Sequence, residues 1–75
     1  MYIVIEMQTN GESTAILSNV FTDRGLALQK YYAILSAAAV SQVEVHTAMV
    51  VDELGYTNYM DSFDRRVKNE EEETT

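Results

Sequence analysis

The stretch that decides the fold is YIVIEMQTNGESTAILSNVFT, residues 2–22. Residues 2–8 alternate around Ile3, Ile5 and Met7 and are rich in β-branched side chains, which predicts a strand. Thr9-Asn10-Gly11 then supplies residues that tolerate positive φ, the mark of a hairpin, and residues 13–22 form the return strand. Register decides which face is apolar, because a slip of one residue turns every side chain over. A three-residue loop with Gly11 left-handed opposes Ile5 to Ala15 and Ile3 to Leu17. It gathers Ile3, Ile5, Met7, Ala15, Leu17 and Phe21 on one face, and the apolar pattern favours it over a two-residue Asn10-Gly11 turn.

Beyond the hairpin, Thr22 and Asp23 are N-cap candidates, Asp23 also suiting the positive end of a helix dipole. The spacing predicts a helix from about residue 23 to residue 40. At about 100° per residue its apolar face carries Ala27, Leu28, Tyr31, Tyr32, Ile34, Leu35, Ala38 and Ala39. Residues 43–51, VEVHTAMVV, read as a third strand, with Val43, Val45, Thr47, Met49 and Val51 on one side and Glu44, His46, Ala48 and Val50 on the other. Asp52 to Gly55 reads as a turn and residues 56–63 as a fourth strand. The expectation is an α+β fold of ββαββ order: antiparallel hairpins in a four-stranded sheet, with one amphipathic helix on one face. Residues 1–63 form the domain, and residues 64–75, ending in NEEEETT, form an acidic tail whose like charges repel.

Composition excludes several functions. Of 75 residues none is Cys and one is His, which removes disulfides and thiolate sites and leaves zinc few ligands. A chain this short has little core, so a partner chain is the stabilising device left open. The net charge is −7, of which −2 falls in residues 64–75 and −5 in residues 1–63, where Arg24 and Lys30 are the only bases. Direct nucleic-acid binding needs a basic face and is not expected. No apolar run is long enough to span a bilayer and no signal-peptide pattern opens the chain, so the expected setting is cytoplasmic, with no membrane partner.

No residue set predicts an enzyme. His46 with Glu44 two residues away offers a base and an orienting acid but no nucleophile, and a strand histidine hydrogen-bonded at a surface or interface is the simpler reading. Asp52 and Glu53 lack the alternating spacing of a calcium loop. Neither a cofactor nor a metal is expected. Face counting is more informative. One helix covers one sheet face, and the other would show Tyr2, Val4, Ile16, Val20, Ala48 and Val50 among Glu6, Thr14, Ser18, Glu44 and His46. Such a mixture predicts an interface, most simply between identical chains. Tyr32 at the helix edge and Tyr59 in the fourth strand complete the interface candidates.

Phe21-Thr22-Asp23-Arg24, Lys30-Tyr31-Tyr32, Leu35 to Ser41 and Val45-His46, with the run Ile5 to Thr9, resemble small, mostly uncharacterised proteins encoded by phages, prophages and mobile elements of Firmicutes. The resemblance covers about residues 2–55 and carries no catalytic residues. It implies a host-cell cytosolic protein that inhibits or sequesters a host or defence factor, or a virion structural or assembly protein. A small-ligand sponge with a pocket between protomers is a third reading.

Overall fold

The computed structural model describes residues 1–66. The elements, in chain order, are β1 (Tyr2–Asn10), β2 (Ser13–Phe21), α1 (Arg24–Ala38), β3 (Val45–Asp52) and β4 (Thr57–Asp64). The strands make one antiparallel sheet in the order β2-β1-β3-β4. The ββαββ α+β architecture read from the sequence is therefore the one the chain adopts. The expected domain boundary after residue 63 falls at the last residues of β4, and the acidic run Glu70 to Glu73 lies outside the described residues.

The first hairpin corrects the register. Asn10 pairs with Ser13 across a two-residue Gly11-Glu12 loop, so Ile5 faces Ser18 and Ile3 faces Val20. Gly11 has φ 61°, and among the described residues no non-glycine residue has positive φ. That places glycine at the first central position alone, the arrangement of a type II′ turn. The turn is held from a distance: Glu44 Oε1 accepts from Gly11 N–H at 2.8 Å, and Asn10 Oδ1 accepts from Glu44 N–H at 3.1 Å.

For β1 and β3 the helix lies on the face opposite to the one expected, whereas Ala15, Leu17 and Phe21 of β2 keep the helix side expected of them. Val4, Ala48 and Val50 are buried beneath it with Ala27, Tyr31 and Ile34, and Tyr2, Phe21, Leu28, Leu35 and Tyr59 pack around that core. Ala27 and Ala38 are wholly buried, and their small side chains let the helix approach the sheet closely. Asp23 caps α1 by accepting from Leu26 N–H at 2.9 Å. At the other end, Arg65 donates to the carbonyls of Ala38 and Val43, and its own N–H donates to Glu44 O. A cation is thereby held where the helix dipole is negative.

Candidate functional site

Two features qualify, one beneath the helix and one on the far side of the sheet. Beneath the helix, His46 is 4% exposed and fully engaged. Its Nε2 lies 2.6 Å from Glu6 Oε2, and its Nδ1 lies 3.0 Å from Ser41 Oγ. Gln8 Nε2 donates to the same Glu6 oxygen at 2.8 Å. Burial pushes the Glu6 carboxyl up. The hydrogen bonds from His46 and Gln8, with the nearby charges of His46 and Lys30, outweigh it and hold the carboxyl below its ordinary value. An ionised Glu6 only accepts, so Nε2 carries the proton. In the neutral ring, Nδ1 then accepts from the Ser41 hydroxyl, which itself accepts from Val43 N–H at 3.3 Å.

Glu44 is not the acid that orients His46. It precedes β3 and is turned to the Gly11 turn, whereas Glu6 comes from the neighbouring strand, diagonal to His46 across the β1–β3 register. Neither Glu6 nor Ser41 is signalled by sequence spacing, since Glu6 lies 40 residues from His46. The acid–His–Ser chain resembles a hydrolytic triad in composition alone. Its hydroxyl already holds a backbone donor, its imidazole is shut off from solvent, and it joins β1, β3 and the loop after α1.

The other polar candidates are also occupied. Asp52 Oδ1 accepts from Leu54 N–H and Tyr56 N–H, each at 3.0 Å, which shapes the β3–β4 turn where Gly55 has φ 92°. Among the described residues no group of three or more His, Cys, Asp or Glu side chains is arranged to hold a metal ion. Tyr31 stands edge-on to Tyr32 and tilted against Tyr59, at centroid distances of 5.1 and 5.8 Å. Burial, then Asp61, Tyr32 and Tyr59, push the Tyr31 hydroxyl upward. Arg24 donates to the Tyr59 hydroxyl and lies over its ring. Tyr59 thus belongs to the wall of the core, whereas Tyr32 is exposed at the helix edge as its position predicts.

The second feature is the open face. Side chains alternate along a strand, so the register places Ile3, Ile5 and Met7 of β1 on the side away from α1, beside Ile16 and Val20 of β2. Val45, Thr47, Met49 and Val51 of β3 and Met60 of β4 continue it. Its polar members are Thr9, Thr14, Ser18, Thr47, Thr57 and Ser62, and its one charged strand residue is Asp64, at a corner and paired with Arg66 at 2.8 Å. Of the eight interface candidates, Ile16 and Val20 lie here, 66% and 59% exposed. Val4, Ala48 and Val50 are core residues instead, and Tyr2 is turned to the helix side with them. The two-residue turn sets Ile3, Ile5 and Met7 on the same side as Ile16 and Val20 rather than Leu17 and Phe21, so β1, and β3 with it, present Val4, Ala48 and Val50 to the helix.

No helix among the described residues is long and apolar enough to cross a membrane. No family model, curated protein or solved structure matches the chain.

Proposed function

We propose that the chain is a non-catalytic protein-binding module that works as a homo-oligomer, with a second copy covering the open sheet face. The carrying observation is the inversion of the faces. The helix lies over the side that bears Glu6, Gln8, Asn19, His46 and Asp61, while the more apolar side is left without a cover. On a chain of net charge −7, that face is where two copies can meet without apposing like charges.

Its size suits the role. Four strands at about 4.8 Å spacing and eight or nine residues long give roughly 500 Å² of sheet per copy. Two copies would cover about 1,000 Å² before side-chain relief is counted, near the lower range of stable interfaces. Sheets packed face to face in this way form a sandwich about 10 Å thick.

In the phage or mobile-element setting that the resemblance implies, such a module serves as an inhibitor of a host or defence protein. The virion assembly role is the alternative, and uses the same face to join neighbours. The test of self-association is sedimentation velocity on the wild type and on Met49→Glu at micromolar concentration. A dimer or larger species that the substitution reduces in mass supports the reading. A wild-type monomer, or an assembly that Met49→Glu leaves unchanged, overturns it.

A further inference from the structure

Strand β2 differs from every other element in the degree to which it is left uncovered. Among the described residues it has a neighbour only on the β1 side, and all residues from Ser13 to Val20 are exposed. This includes Leu17, which points to the helix side yet is 51% exposed. Its sequence, STAILSNVF, contains no charge and no proline. Exposed edges of this kind invite pairing with another strand, and natural proteins guard them with charges, bulges or covering segments. The opposite edge, β4, has those guards: Asp61 and Asp64, a register shift opposite Val50 and Val51, and Arg65 folded back at its end. β2 has none.

We infer that β2 is a second interaction surface, which pairs antiparallel with β2 of another copy to give a continuous eight-stranded sheet. This extends the self-association proposed above but rests on different residues and on backbone groups. The two-residue turn closes on the hydrogen-bonded pair Asn10–Ser13, and bonding alternates along an antiparallel ladder. Ser13, Ala15, Leu17, Asn19 and Phe21 therefore bond to β1, leaving the N–H and C=O groups of Thr14, Ile16, Ser18 and Val20 directed outward.

One twofold register uses the whole strand. It places Ser13 opposite Phe21 of the second copy, Thr14 opposite Val20, and Ile16 opposite Ser18, so that every outward residue meets another outward residue. The axis then passes beside Leu17, which faces its own copy in a non-hydrogen-bonded pair. In such pairs Cβ atoms lie about 4.5–5.5 Å apart. Both helices fall on the same side of the extended sheet. The paired strands themselves bring no charge into the contact, because β2 has none.

The experiment uses the absence of native cysteine. Leu17→Cys should form an intermolecular disulfide under mild oxidation at least ten-fold faster than Ala15→Cys, whose partner across the axis is Asn19. Adding Ser18→Pro should abolish that crosslink while leaving the circular dichroism spectrum unchanged, since the Ser18 N–H is not used by the β1 ladder. Leu17→Lys, in the otherwise native chain, should lower the assembly mass by placing two ammonium groups across the axis. Adding Met49→Glu should leave the Leu17→Cys crosslink intact, which separates the edge from the open face. Equal crosslinking at both positions, a crosslink that survives Ser18→Pro in a folded chain, an unchanged mass in Leu17→Lys or a crosslink lost with Met49→Glu overturns the inference.

Discussion

The buried pair of Glu6 and His46 is where single residues matter most to stability. Glu6→Ala leaves His46 Nε2 without an acceptor in a dry site, and an orphaned buried donor costs about 1–3 kcal/mol. Urea unfolding at pH 7 should show that loss as a lower midpoint with an unchanged slope. The pH dependence has a definite sign. The folded Glu6 carboxyl lies below its ordinary value, so the unfolded chain binds its proton more readily. The stabilisation is complete above the unfolded carboxyl value of about 4.3 and disappears as pH falls through the lower folded value. Glu6→Gln should flatten the acid side of the stability profile. An unaltered acid limb in Glu6→Gln would show that the carboxylate is not the group responsible.

At the scale of elements, the two ends of α1 are held differently. Asp23→Ala removes the N-cap and should cost about 1 kcal/mol. Arg65→Ala removes the cation from the other end and its hydrogen bonds to the carbonyls of Ala38 and Val43, of which Ala38 keeps the Ser41 N–H, so a loss of about 1 kcal/mol is expected. Thermal melts of both variants check these values. Amide exchange should rise in the last turn of α1 in the Arg65 variant and in the first turn in the Asp23 variant. The elements themselves were legible in the sequence. Alternation marks the strands, and Ala27, Tyr31, Ile34 and Ala38 form the buried helical stripe that their spacing announces. The register was not legible, because Glu44 and Asn10 fix the Gly11 turn from 33 and 34 positions apart. Both faces of the hairpin carry large aliphatic residues, so apolar alternation does not distinguish core from surface. The same slip moved Val4, Ala48 and Val50 from the expected interface into the core, and it took Glu6 and His46, expected together on the open face, beneath the helix with them.

On the scale of the whole molecule, charge and shape act together. The described part is elongated, 45 × 23 × 20 Å, and the chain carries −7. Copies of such a chain repel at long range, while the edge contact carries no charge and the face contact only the Asp64–Arg66 pair at a corner. Added salt should therefore tighten self-association several-fold between low and moderate ionic strength, as screening shortens the repulsion. Sedimentation equilibrium over a salt series measures this, and weakening with salt would point to ion pairs at the contact instead. The face-exchanging variant Val50→Glu buries a carboxylate beneath α1 and should unfold the chain, whereas Met49→Glu, one residue away, should leave the fold intact.

The strand order also sets a timetable. β1 is made first yet lies inside the sheet, bonded on one side to β2 and on the other to β3, which begins at Val45. A chain emerging from a ribosome thus presents β1 with one edge unpaired until the residues of β3 arrive. Pairing over that separation is slow to form because the intervening segment must first be closed into a loop. Folding of this domain is consequently expected only once β3 has emerged, with the interval before that being the period in which strand-to-strand aggregation competes.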